Sequence, residues 1–130
     1  MSTPDHPAVT FGDGPLTIDH VVAIARHDAR VVISAAAVAR MAQTRAVIDG
    51  LADDVEPHYG VSTGFGALAT RHIPLELRTQ LQRSLVRSHA AGSGAEVERE
   101  VVRGLMVLRL ATLATGRTGI RPVVAQTYAA

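Results

Sequence analysis

The residues best suited to chemistry begin with Tyr59, which opens the glycine-rich stretch Tyr-Gly-Val-Ser-Thr-Gly-Phe-Gly at positions 59–66. Glycine adopts positive φ angles without steric cost, so Gly60, Gly64 and Gly66 predict a tight, mobile loop. A reactive phenol on a loop held by rigid helices is a common arrangement in active sites. The same residues also fit a helix C-cap and a turn, in which Tyr59 only packs as an anchor. A phosphate-binding loop is disfavoured, because no Gly-Lys-Ser/Thr follows.

A second candidate is His89, which lies on a predicted helix. Leucines recur at positions i, i+4 and i+8, namely Leu77, Leu81 and Leu85. The same row of the helix continues to His89. This spacing predicts a helix that ends near the sequence Ala-Ala-Gly-Ser-Gly. A histidine at a helix C-terminus often only complements the helix dipole. The residues alone therefore leave a functional and a structural role open.

An acidic cluster precedes the glycine-rich stretch and consists of Asp53, Asp54 and Glu56. Carboxylates so close together could bind a metal ion. We interpret the cluster as a solvated turn, because we find no matching histidine or carboxylate pair nearby at helical spacing. No metal site is predicted.

The composition predicts one soluble, cytoplasmic domain over residues 1–130. The chain is 47% hydrophobic but only 3% aromatic, so its core must consist of aliphatic side chains. Thirteen basic and twelve acidic side chains give a formal charge of +1, which indicates no nucleic-acid or membrane partner. Cysteine is absent, which excludes disulfides within these residues and fits a reducing compartment. The N-terminus lacks the pattern of a signal peptide.

The elements that would position Tyr59 and His89 are mainly α-helical. The pattern predicts, in order, an irregular arm over 1–15, a helix capped by Thr17, a bridge or extended connector at 31–33, a helix from Ser34 to about Leu51, a loop region over 57–73, helices over 74–91 and 96–115, and a last helix that starts at Pro122. Between Val101 and Thr115 apolar residues fall on every side of the helix. Such a helix needs more covering than this chain supplies, so we expect other subunits or further chain to cover it.

Several longer blocks resemble the aromatic amino-acid ammonia-lyases, and within them the histidine lyases most closely. They are Leu-Thr at 16–17, Tyr-Gly-Val-Ser-Thr-Gly-Phe-Gly-Ala-Leu-Ala at 59–69, Leu-Gln-Arg-Ser-Leu-Val-Arg-Ser-His-Ala-Ala-Gly-Ser-Gly at 81–94, Met-Val-Leu-Arg-Leu at 106–110 and Gly-Ile-Arg-Pro at 119–122. The resemblance runs from about residue 16 to residue 130, in the family's order and spacing. It implies a helical N-terminal segment of the ammonia-lyase, fumarase/aspartase-like architecture.

The resemblance implies elimination of ammonia from an α-amino acid. Tyr59 matches the family's catalytic loop tyrosine, which acts in proton transfer. The resemblance also implies a mobile lid that excludes water, formed by Gly60, Thr63, Gly64, Phe65 and Gly66. Ser88 and His89 match the pair that contacts the substrate's imidazole in histidine lyases. Tyrosine lyases tend to carry His-Leu and phenylalanine lyases Phe-Leu at this pair. The resemblance therefore favours conversion of L-histidine to urocanate, with a tyrosine or phenylalanine lyase or aminomutase as the alternative.

The family's electrophile, 4-methylidene-imidazol-5-one (MIO), forms from an internal Ala-Ser-Gly tripeptide, and none occurs in these 130 residues. Gly92-Ser93-Gly94 is a near match that lies in the family's glycine turn. We therefore expect a segment equivalent to about the first quarter of a lyase, inactive alone. The resemblance implies homotetramers whose active sites combine residues of several subunits. A non-catalytic helical remnant that oligomerises is a further alternative.

Overall fold

The computed structural model describes residues 7–130, which form five helices and two short strands. The elements are β1 (Val9–Phe11), α1 (Ile18–His27), β2 (Val31–Ile33), α2 (Ala35–Asp53), a 3₁₀ turn (Gly66–Leu68), α3 (Leu75–His89), α4 (Arg99–Ala114) and α5 (Pro122–Ala129). The prediction of a mainly α fold is confirmed. In the described part, no helix is long and apolar enough to cross a membrane.

Contacts within the chain define two compact units. The first, here called the core unit, is Met1–Ala46 with Glu96–Ala130, and the second, the loop unit, is Val47–Ala95. Tyr59, Ser88 and His89 all belong to the loop unit. A single domain over residues 1–130 stays a prediction.

The core unit begins with a parallel strand pair. Val9 in β1 lies opposite Val31 in β2, and Phe11 lies opposite Ile33. The prediction of an irregular arm is therefore wrong for Val9–Phe11. The prolines and glycines around this segment obscured a short alternation, in which Val9 and Phe11 are buried and Thr10 is exposed. Burial of those two side chains favours the strand over a free arm.

Local capping explains where the first two helices begin. The Thr17 Oγ1 accepts a hydrogen bond from the His20 amide at 3.2 Å, and the Thr17 amide donates to His20 Nδ1 at 3.3 Å. This reciprocal pair is a capping box in which histidine takes the usual place of glutamate. The Ser34 Oγ accepts from the Ala37 amide at 3.1 Å at the start of α2. Both predicted N-caps are confirmed.

The core of this unit lies where α4 packs against α1, α5 and the strands. Its buried members are Val9, Phe11, Ile24, Ala29, Ala37, Met41, Val107, Leu110, Leu113, Ala114 and Ala125. Arg103 of α4 donates from Nε and Nη2 to the Ile24 carbonyl of α1, at 3.1 and 2.9 Å. On its other side α4 exposes Leu105 and Leu108. An apolar helix is thus covered on one side only.

The loop unit contains the end of α2, the glycine-rich stretch and α3. The predicted helix over 74–91 runs from Leu75 to His89, because Pro74 takes the N-cap and Ala90 leaves helical geometry with ψ 60°. No residue of α3 is buried. Arg78 of α3 donates to the Ile73 carbonyl at 3.0 Å and also to the Ala52 carbonyl near the end of α2. That guanidinium therefore satisfies a terminal helix carbonyl that has no partner within its own helix.

Candidate active site

The loop that carries Tyr59 is built around the backbone of His58. The His58 carbonyl accepts hydrogen bonds from the amides of Val61 and Ser62, both at 3.0 Å. Tyr59 and Gly60 form the turn between them. Gly60 has a φ of 72°, and a Cβ there would lie 3.0 Å from the Phe65 ring. Glycine is therefore required at this position for both its conformation and its lack of a side chain.

The Tyr59 phenol lies over the second half of the loop. Its ring meets the Phe65 ring edge-to-face, with centroids 6.0 Å apart and an interplanar angle of 81°. The Gly66 amide donates to the Tyr59 hydroxyl at 3.5 Å, a long hydrogen bond. The Tyr59 side chain is 66% exposed. Tyr59 is therefore mostly exposed while its ring packs on Phe65, and both its catalytic role and the anchor alternative stay predictions.

Two buried hydroxyls stabilise the loop from inside. The Ser62 Oγ accepts from the His58 amide at 2.9 Å. The Thr63 Oγ1 donates to the Gly64 carbonyl at 3.0 Å and accepts from the Gly60 amide at 3.3 Å. Both side chains are buried. These bonds replace the apolar packing that a segment so rich in glycine lacks.

Backbone pairing joins the loop to the segment before α3. The Gly64 amide donates to the Arg71 carbonyl at 3.1 Å, and the Ile73 amide donates to the Ser62 carbonyl at 2.9 Å. A Cβ at Gly64 would lie 2.7 Å from the Leu68 Cβ, so the chain approaches itself too closely for a side chain there. The predicted lid residues are thus brought together in one hydrogen-bonded turn. That this turn moves as a lid stays a prediction.

A hydrogen-bonded side-chain pair, next to Tyr59 in the sequence, corrects the interpretation of the acidic cluster. His58 Nε2 lies 2.8 Å from Asp54 Oδ2, at i,i+4 spacing. The prediction that Asp54 has no matching histidine nearby is therefore wrong. The hydrogen bond from His58 holds the pKa of the Asp54 carboxyl below its usual value, and the Glu56 amide adds to the effect. The spacing of residues 54 and 58 was the missed signal.

Ser88 and His89 lie in the last turn of α3 and are exposed. The Ser88 Oγ lies 2.9 Å from both His89 Nδ1 and the Leu85 carbonyl, and Nδ1 lies 3.0 Å from the same carbonyl. This three-centre arrangement fixes the imidazole through Nδ1. Within residues 7–130, Nε2 has no hydrogen-bond partner. One ring nitrogen is thus held while the other is available to a ligand.

The structure records no polar or ring contact between the two halves of the predicted site. Among residues 7–130, no hydrogen bond, ion pair or ring contact joins Tyr59 to Ser88 or His89. The shared pocket therefore stays a prediction. Each half supplies one polar group with an unused hydrogen-bonding position, a phenol oxygen in one and an imidazole nitrogen in the other.

Comparisons with known proteins cover both the segment that contains Tyr59 and the segment that contains His89. The sequence profile of the family described as aromatic amino acid lyase matches residues 16–130. The chain is 64% identical to a histidine ammonia-lyase of Streptomyces griseus over 121 residues, which are 93% of this chain and 24% of that protein. It is 43% identical to a histidine ammonia-lyase of Treponema denticola over 116 residues, 89% of this chain and 23% of that protein. The chain thus spans about a quarter of the length of the curated relatives it matches.

Solved structures show the same fold. A tyrosine aminomutase from Streptomyces globisporus superposes with a TM-score of 0.87 at 32% identity, covering 95% of this chain and 23% of that one. A histidine ammonia-lyase from Trypanosoma cruzi superposes with a TM-score of 0.80 at 36% identity, covering 94% and 23%. The fold of the described residues is therefore the fold of about one quarter of those chains.

Proposed function

Because this chain belongs to the aromatic amino acid lyase family, we propose that it supplies part of a histidine ammonia-lyase, which eliminates ammonia from L-histidine to give urocanate. The observation that carries the proposal is the 64% identity to the Streptomyces griseus histidine ammonia-lyase over 93% of the chain. Similarity to tyrosine aminomutase structures favours the same chemistry on another aromatic amino acid as the second candidate.

In this proposal Tyr59 moves a proton to or from the substrate. A free phenol has a pKa near 10, so a phenol that acts as a base needs donors that stabilise the phenolate. The Gly66 amide, 3.5 Å from the hydroxyl, is one such donor. The residues between Gly60 and Gly66 would close over the substrate and exclude water.

Ser88 and His89 would recognise the substrate's side chain. Ser88 and the Leu85 carbonyl hold His89 Nδ1, which leaves Nε2 to form a hydrogen bond with an imidazole. A site that is built to form such a bond discriminates strongly against a substrate that cannot form it, because its polar group is then left unpaired. This accounts for a preference for histidine over phenylalanine.

The family's prosthetic group, MIO, would supply the electrophile that makes ammonia a better leaving group. The tripeptide from which it forms is absent from these 130 residues, so the roles proposed for this chain are proton transfer and substrate recognition. The proposal also includes assembly as a homotetramer in the cytoplasm. The exposed Leu105 and Leu108 of α4 support association. The same side chains favour the alternative of a non-catalytic helical piece that oligomerises.

A chimera tests the proposal. The matching segment of the Streptomyces griseus enzyme is replaced by this chain, and formation of urocanate from L-histidine is followed by its absorbance. We expect activity on L-histidine, a loss of roughly 10²-fold or more in kcat for Tyr59→Phe, and a shift of preference toward L-phenylalanine for His89→Phe. Tyr128→Phe is the matched control and should leave kcat unchanged.

A folded, tetrameric chimera that has no activity on L-histidine would contradict the proposal, and so would equal activity of the Tyr59→Phe variant. Preference for L-tyrosine would favour the second candidate. Light scattering on the isolated chain addresses the oligomerising alternative, which requires a mass well above that of the 13.7 kDa monomer.

A further inference from the structure

A cavity of about 290 Å³ lies in the core unit, between the segment after β1 and the C-terminal end of α4. Phe11 and Leu16 form part of its apolar wall. Among residues 7–130, His20 and Arg40 are the only ionisable side chains that line it, and no carboxylate does. A cavity that combines apolar walls with positive charge and N–H donors favours a small anion with an apolar part.

The Arg40 guanidinium is fixed in place by two backbone carbonyls. Its Nη2 donates to the Gly12 carbonyl at 2.8 Å and, more weakly, to the Ala114 carbonyl at 3.5 Å. Gly12 has a φ of 102°, and a Cβ there would overlap the Cβ of Ala37. The close approach to Arg40 therefore depends on glycine. Arg40 Nε and Nη1 have no hydrogen-bond partner among residues 7–130, so a pre-positioned guanidinium retains unused donors.

His20 contributes a donor of known position. Its Nδ1 accepts a hydrogen bond from the Thr17 amide at 3.3 Å in the capping box. In the neutral imidazole the proton must therefore be on Nε2. The sequence of the helix cap thus determines that Nε2 is a donor, which suits an anion rather than a cation.

We propose that this cavity binds a small free carboxylate. The carboxylate would accept hydrogen bonds from the unused N–H groups of Arg40 and from His20 Nε2, and a short alkyl group would lie against Phe11 and Leu16. A guanidinium presents paired N–H groups that match the two oxygens of a carboxylate. Phosphate fits less well, because the apolar wall at Phe11 and Leu16 would desolvate its greater charge. The site is independent of the lyase chemistry proposed above.

Titration of the ¹⁵N-labelled 130-residue chain tests the site by NMR. The probes are butanoate, inorganic phosphate and butan-1-ol, which separate the carboxylate from other anions and from the alkyl group. Butanoate should shift the amides of Gly12 and Gly14 in a saturable manner, with dissociation in the millimolar range. Phosphate and butan-1-ol should bind at least about tenfold more weakly, since each lacks one half of the interaction.

Substitution of His20 separates binding from folding. His20→Glu restores the common Thr-x-x-Glu capping box, so α1 should remain intact by circular dichroism while a negative charge is added to the cavity beside Arg40. We expect butanoate affinity to fall at least about tenfold. His72→Glu, the same substitution at an exposed position of the loop unit, should leave it unchanged. If His20→Glu unfolds, His20→Gln keeps a capping box and should weaken binding several-fold.

Several results would overturn the proposal. They are shifts that do not saturate, shifts spread over the surface, equal binding of phosphate, and full affinity in the folded His20→Glu variant. Concentration-dependent line broadening at Gly12 and Gly14 without added butanoate would also overturn it, because the cavity would then accept a side chain of a second copy.

Discussion

The two units of this chain are stabilised by different interactions. Every buried hydrophobic residue among residues 7–130 lies in the core unit, whereas the buried side chains of the loop unit are Ser62 and Thr63. Apolar burial gives a stable scaffold, and hydrogen bonds around glycine give a loop with a low cost of opening. The predicted catalytic residue Tyr59 lies in the unit without an apolar core. Functional loops commonly belong to the less stable part of a fold.

The largest expected effect is in the core unit. Leu110 is 2% exposed, so Leu110→Ala should lower the free energy of unfolding by about 2–5 kcal/mol in chemical denaturation. Leu108→Ala removes the same atoms from a side chain that is 57% exposed, and should cost less than about 0.5 kcal/mol. Equal losses would mean that α4 has no buried side, and would contradict the description of the core unit as stabilised by apolar burial.

Glycine substitutions in the same unit should have opposite signs. Gly116 has a φ of 74°, and a Cβ there would lie 3.0 Å from the Arg40 carbonyl carbon, so Gly116→Ala should cost about 1–3 kcal/mol. Gly104 lies within α4 with open space around it, so Gly104→Ala should stabilise by about 0.5–1 kcal/mol. Thermal unfolding of the two variants measures both. Destabilisation by both would contradict the open environment of Gly104.

In the loop unit, the Ser62 hydroxyl should stabilise the glycine-rich loop against local opening. Ser62→Ala removes the acceptor of the His58 amide and should lower the free energy of local opening by about 1–3 kcal/mol. Hydrogen exchange at the amides of His58 and Ser62 should accelerate, while exchange in the core of α4 stays unchanged. Ser93→Ala, at an exposed position, is the control. Faster exchange in both units would show that they open together.

The smallest effect is electrostatic. The hydrogen bond from Arg99 holds the pKa of Asp28 below its usual 3.8, and Arg103 adds to it. A carboxyl with a lowered folded pKa stabilises the protein above its unfolded pKa, and this contribution is lost as pH falls through the folded value. The difference in the free energy of unfolding between the unsubstituted chain and the Asp28→Asn variant should be largest above about pH 5 and should vanish as pH falls below 3.8. High salt should reduce it, since the pair is exposed. A difference independent of pH would contradict this origin.

Local features were predictable from the sequence, and contacts between distant residues were not. Thr17 and Ser34 were identified as N-caps because a cap depends on the next three residues. The strand at Val9–Phe11 was missed because its partner, Val31–Ile33, lies beyond α1. The Asp54–His58 pair was overlooked although its i,i+4 spacing was visible. The relation of Tyr59 to His89 depends on packing that no local pattern encodes, and it stays a prediction.

Tyr59 and Tyr128 are the only tyrosines in a chain without tryptophan, and the two units contain one each. Ultraviolet emission from the chain therefore comes from two phenols in separate surroundings. Replacing Tyr128 by phenylalanine leaves a fluorophore that senses only the glycine-rich turn, and replacing Tyr59 leaves one that senses only α5. The molecule thus carries its own pair of optical reporters, with no need for an attached dye.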